Sequence, residues 1–205
     1  DKTAQDRKRG CGAKSLAPGA AAGGCAFDGA KIALQPITDA LHLVHGPIAC
    51  EGNSWDSRNS GSTGPQLYRT AFTTDLSEFD VIHGGEKRLY RAIGEVVRRF
   101  RPPAVFVYVT CVPALTGDDV EAVCTAASSR LGLPVIPVMA PGFAGSKNLG
   151  NKLAGQTLMQ HVIGTREPET TTPFDISLLG EYNVAGELEE IRRLLARIGV
   201  RLLTT

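Results

Sequence analysis

From Phe79 onward, short apolar runs alternate with amphipathic stretches. The run FDVIH predicts a strand, residues 86–100 a helix, AVFVYVT from Ala104 a strand and residues 118–131 a helix. PVIPVM after Leu133 predicts another strand and residues 147–162 another helix. Beyond GTREPETTTPFD come a strand ISLL, a helix over 186–198 and a terminal strand from Val200 to Thr205. Within 86–100, Leu89, Ile93, Val96, Val97 and Phe100 form one stripe while Arg91, Arg98 and Arg99 lie off it, so this helix covers a sheet. Pro102 and Pro103 then stop it. Strands and helices alternating at these lengths predict an α/β fold with a doubly wound parallel sheet.

The earlier part reads less regularly. Ile32, Ile37, Leu41 and Val44 keep helical spacing and predict a helix over about 29–44, kinked or restarted at Pro36 and closed by Gly46-Pro47. Residues 51–70, EGNSWDSRNSGSTGPQLYRT, are too long and polar for a simple connection and predict a functional loop ordered by a partner surface. Charge, threonine and proline over 164–175 predict a boundary. The expected organisation is an extended arm over 1–24, a first α/β domain over 25–165, and a linker with the start of a second α/β domain over 166–205. A first residue Asp1 and a last strand with no element after it read as a fragment of a longer polypeptide.

Composition narrows the function classes. A net charge of +1 and 6% aromatic residues supply neither the basic excess nor the stacking surfaces of a nucleic-acid binder. No stretch approaches the roughly 20 apolar residues of a membrane span, and DKTAQDRKRG lacks a signal-peptide core, which makes the cytoplasm the expected location. Five cysteines, an odd number in a chain of this size, argue against a disulfide framework.

Candidate chemistry therefore falls on thiols. Cys25 in GGCAFDG, Cys50 in HGPIACEG and Cys111 in VTCVPALTGDD each lie in a turn marked by Gly or Pro. Cys111 directly follows a buried-type strand, at the carboxyl edge where open α/β sheets bind ligands. Soft thiolates on loops suit an iron–sulfur cluster, for which three are an incomplete set. The spacing, with 24 residues between the first pair and 60 between the second, matches no compact ligand signature, so burial as small apolar groups stands beside metal binding. Cys124 shares a helix face with Val120, Ala127 and Leu131 and reads as a core thiol. Cys11 lies in the arm, either incidental or able to visit a site. His42 and His45 sit three apart at the end of the expected first helix, as a metal pair or as polar packing. His83 and His161 have little around them. Neither GGEK at 84–87 nor GFAGSKN matches a phosphate loop, Asp118-Asp119 reads as a helix start, and no general acid, base or nucleophile stands out.

Taken in order, GGCAFDGAKIALQPITDALHLVHGPIACEGNSWD, TTDL, GGEKRLYRAI, PPAVFVYVTCVPALTGDDVEAVC, PGFAGSKNLGNKLAG and IGTREP resemble the nitrogenase component 1 family, within it the α-like subunits of the scaffold that assembles the iron–molybdenum cofactor. The resemblance runs from about Cys11 to Gly186. It implies an α2β2 assembly with a β-like N subunit, on which an iron–sulfur precursor from an upstream radical enzyme is matured with molybdenum and homocitrate. The nitrogenase iron protein assists, and apo-nitrogenase is the acceptor. It also implies a [4Fe–4S] cluster at the interface, with Cys25, Cys50 and Cys111 as three ligands and a fourth from the partner, and Cys11 near the path of the maturing cofactor. Asp28, Lys31 and Glu51 are candidates to tune that cluster, or else solvated surface charges. GCAFDG and TCVPALTGDD favour the scaffold over a catalytic α subunit that reduces dinitrogen, while the vanadium-system counterpart stays open.

Overall fold

In the computed structural model, which describes residues 24–56, 71–165, 167–178 and 187–204, β1 (Leu41–His45), β2 (Phe72–Thr73), β3 (Val105–Val109) and β4 (Val135–Val138) form one sheet. Its order is β2-β1-β3-β4 and every pairing is parallel. β1 and β3 are buried along their whole length, the condition of parallel strands covered on both faces.

Two helices cover each face. On one, α1 (Ala26–Leu34) and α7 (Lys147–His161) pack over Val44, Phe106, Tyr108, Ile136 and Val138. On the other, α4 (Glu86–Phe100) and α6 (Val120–Leu131) bury Leu89, Ile93, Val96, Val120, Cys124 and Ala127 against Leu41, Leu43, Val105, Val107 and Val109. The stripe expected on α4 is thus the face it buries. The helices α1 and α7 touch backbone to backbone: a Cβ on Gly29 would run into the Lys147 carbonyl, and one on Gly150 into that of Ala26. The short helices α2 (Ile48–Asp56), α3 (Glu78–His83) and α5 (Cys111–Thr116) follow β1, β2 and β3. A 3-10 turn at Gly142–Ala144 leads from β4 to α7. Further on, β5 (Asp175–Ser177) and β6 (Arg201–Thr204) form a separate parallel pair, with α8 (Leu188–Arg197) between them in sequence.

Three expectations are corrected. The helix over 29–44 ends at Leu34, and Leu41–His45 is the central strand β1. A strand buried on both faces has no polar alternation, so its leucines and valine kept helical spacing by coincidence. FDVIH is helical because Ser77 caps α3 and Asp80 bonds back to the Ser77 N–H, a reciprocal capping box. The stretch 51–70 begins as helix, since 51–56 complete α2, and 57–70 lie outside the described residues. The expected arm over 1–24 lies outside them too, apart from Gly24.

Candidate cluster site at the carboxyl edge of the sheet

The chain leaves β1 toward β2 on one side and later enters β3 on the other, so the strand order reverses between β1 and β3. Loops part at such a point and leave a crevice beyond the carboxyl ends of the strands. Cys50 lies in the first turn of α2, after β1, and Cys111 opens α5, directly after β3. Cys25 stands at the N-cap position of α1, and its backbone is bridged to Ser146, at the start of α7. Three thiols from distant parts of the chain therefore reach one edge, each half-buried.

Gly142 shows how closely they gather. A Cβ placed there would stand 3.0 Å from the Cys111 Sγ and 3.1 Å from the Cys25 Sγ. Burial pushes the Cys50 thiol above its ordinary range, charge on Cys111 and Cys25 adds to this, and a hydrogen bond with the Thr110 side chain opposes it. Mutual repulsion of this kind is relieved by a shared cation, which favours the thiolate form. Among the described residues no three His, Cys, Asp or Glu side chains converge on a point fit for a single metal ion. The thiolates of a four-iron cluster bond different irons and need no common point. The donor set, all sulfur, with Cys25 and Cys111 beside a glycine that leaves room, fits such a cluster.

Behind the thiols lies a buried polar layer. Lys31 and Glu51 form an ion pair with side chains 1% and 2% exposed, linking α1 to α2. The Lys31 ammonium also sits 5.6 Å from the Tyr108 ring centre, and the Tyr108 hydroxyl is 2.7 Å from His42 Nδ1. Asp28 pairs with Lys147 at 3.0 Å, joining α1 to α7. On the opposite face, His45 Nδ1 meets Thr74 Oγ1 at 3.0 Å and its Nε2 meets Asp118 Oδ2 at 2.9 Å, while Asp118 also accepts from the Gly85 N–H.

The structure thus brings Cys25, Cys50 and Cys111 together, whereas Cys11 lies outside the described residues. Cys124 is a core thiol, 1% exposed, and desolvation pushes its pKa up to about 12. His42 and His45 stand on opposite faces of β1, each buried with hydrogen-bond partners, so they form no metal pair. The cause is the misread element: three residues apart, side chains share a helix face but point to opposite sides of a strand. Asp28, Lys31 and Glu51 are buried rather than solvated. Asp119 does cap α6. Sequence reasoning missed Gly142, Thr110 and Lys147. Only the PG that precedes Phe143 marked a turn there, and nothing local linked it to the cysteines.

The profile of the family described as nitrogenase component 1 type oxidoreductase matches residues 25–205. The chain belongs to this family. It is 63% identical over 202 residues to the nitrogenase iron-molybdenum cofactor biosynthesis protein NifE of Bradyrhizobium diazoefficiens, covering 98% of this chain and 37% of that one. It is 60% identical to the protein of the same name from Nostoc sp., covering 99% and 42%. The chain spans about two fifths of the length of these relatives. Among solved structures, one of nitrogenase Cp1 at pH 5 superimposes with a TM-score of 0.83 at 38% identity, covering 90% of this chain and 38% of that one. As a component 1 family member, the chain has the expected α/β fold with a parallel sheet covered by helices. Among the described residues no helix is long and apolar enough to cross a membrane.

Proposed function

We propose that the chain is part of a scaffold subunit on which the nitrogenase iron–molybdenum cofactor is assembled, and that Cys25, Cys50 and Cys111 hold one [4Fe–4S] cluster against a β-like partner subunit. The observation that carries the reading is the gathering of these three thiols at the topological switch point, Cys25 and Cys111 beside Gly142 and Cys50 close enough to feel the charge of both. Identity of 55–63% to cofactor biosynthesis proteins, against 38% to the nitrogenase structure, favours a scaffold over a dinitrogen-reducing subunit.

Each residue near the edge has a part in this reading. Thiolates from Cys25, Cys50 and Cys111 bond iron, and the cluster when bound supplies one-electron redox chemistry and a rigid join between subunits. Lys31 places a positive charge in the layer behind them, and Glu51 balances it. A protein ligand set of three leaves the fourth position to the partner. Its approach is favoured by the exposed apolar side chains of Ile48 on α2, Leu115 on α5, and Phe79 and Ile82 on α3, which packs against α5. Cys11, if the arm reaches the maturing precursor, serves its transit rather than the resident cluster. The assembly is an α2β2 heterotetramer in the cytoplasm. It takes its precursor from a radical enzyme, matures it with molybdenum, homocitrate and the nitrogenase iron protein, and passes it to apo-nitrogenase.

The test uses the full-length protein purified with its partner. Loaded with precursor, molybdate, homocitrate and iron protein, the complex should activate apo-nitrogenase while reducing no dinitrogen itself. Dinitrogen reduction by the complex alone would assign the chain to a catalytic α subunit. Activation with vanadate but not with molybdate would assign it to the vanadium system.

A further inference from the structure

The helix that presents Cys50 begins without a cap of its own. Pro47, the residue before α2, has no side-chain acceptor, and the first N–H groups of any helix need one. The acceptor comes from 27 residues away: the Ile48 N–H bonds Asp75 Oδ1 at 3.3 Å. Asp75 holds φ +47°, in the left-handed region where residues with a Cβ are uncommon. Its conformation is fixed by its neighbours. The Asp75 N–H bonds Thr73 Oγ1 at 3.1 Å, and Thr73 Oγ1 donates to the Gly46 carbonyl at 3.2 Å. The Gly46 N–H bonds Thr74 Oγ1 at 3.1 Å and the Leu76 N–H bonds the Gly46 carbonyl at 3.2 Å. The turn after β2 is thereby laced to the turn after β1, and its strained residue aims a carboxylate at the start of α2. Strain of this kind persists where surrounding contacts over-determine it, and it gathers at functional sites.

We propose that Asp75 is a positioning residue for the cluster: it caps α2 in trans and so fixes where Cys50, two residues past the capped Ile48, presents its sulfur. The inference rests on the reading of Cys50 as a ligand. It separates cluster positioning from fold stability, because glycine adopts φ +47° at no steric cost but supplies no acceptor. Asparagine tolerates the conformation and keeps an acceptor oxygen.

The experiment compares wild type, Asp75→Gly, Asp75→Asn and Cys50→Ala in the full-length protein with its partner. Iron loss to a chelator, the EPR spectrum after dithionite and the unfolding temperature are followed for each. Asp75→Gly should unfold at or above the wild-type temperature, lose iron about 10-fold faster and show a broadened cluster signal, a loss typical of removing a group that orients a ligand. Asp75→Asn should match wild type. The proposal is overturned if Asp75→Gly keeps its iron and signal while Cys50→Ala loses them. It is overturned equally if iron loss merely tracks a lower unfolding temperature, or if Asp75→Asn fails to rescue. Retention of iron by Cys50→Ala would remove the ligand reading itself, and this inference with it.

Discussion

His45 and Asp118, 73 residues apart in sequence, share a buried hydrogen bond of 2.9 Å. His45 ends β1, three residues before Ile48 opens the helical turn that holds Cys50, and Asp118 follows the helix that Cys111 opens. Together with Thr74, this contact ties the segments after β1, β2 and β3 into one rim. That rim joins the segments that carry Cys50 and Cys111.

Burial holds His45 below its ordinary value of 6.5, and the charges of Asp118, Asp80 and Glu86 only partly oppose this. The folded protein therefore keeps His45 neutral where the unfolded chain would protonate it. The unfolded state binds more protons in that window, so stability falls as pH drops below about 6.5 toward the lower folded value. Unfolding midpoints between pH 5 and 7.5 should show this slope in wild type and a shallower one in His45→Gln. Equal slopes would place the pH dependence elsewhere.

Lys31 and Glu51 are both removed from water, so deleting one partner takes a close counter-charge from the other where water cannot replace it. Lys31→Met alone, or Glu51→Leu alone, should lower stability by about 3–5 kcal/mol, whereas the double substitution should recover most of the loss. Denaturant unfolding of the four proteins forms a double-mutant cycle. Additive losses would mean that the pair is not coupled.

Gly142 leaves the space that a Cβ would take from two sulfurs. Gly142→Ala should therefore displace Cys25 or Cys111 by a few tenths of an ångström and weaken the cluster with little effect on the fold. The checks are iron content and the EPR line shape. An unchanged spectrum would show that the space beside Gly142 is not part of the cluster's surroundings.

Cys124 offers an internal control. Its thiol, raised to about 12 by burial, stays protonated at neutral pH and packs in the core. In apo protein, iodoacetamide should modify the half-buried Cys25, Cys50 and Cys111 well before Cys124, as peptide mapping by mass spectrometry would reveal. Cys124→Ala should keep the full iron content.

Much of the fold was legible where local pattern and tertiary role agree. The stripe of α4 buries on the sheet, and β3 reads as an unbroken apolar run because helices cover it on both sides. β1 was lost for that same reason, since LHLVH carries no alternation to separate strand from helix. The helix α3 was lost although Ser77 and Asp80 spell a capping box, because the apolar letters of FDVIH outweighed it. Their exposure at Phe79 and Ile82 shows that these letters do not serve this chain's core. Among the site residues, Cys111 could be placed from the strand before it. The contributions of Gly142, Asp75 and Asp118 depend on strand order, which pairs segments far apart in sequence and leaves no local trace.

Whether three thiolates share one cluster is decided by anaerobic iron and sulfide analysis with EPR after dithionite. The sample is the full-length protein co-expressed with its partner, as wild type and as Cys25→Ala, Cys50→Ala and Cys111→Ala. Each substitution should weaken or abolish the same [4Fe–4S] signal, with a matching fall in iron, while Cys124→Ala changes neither. Survival of the signal and of the full iron content in all three would contradict it and return these cysteines to packed thiols.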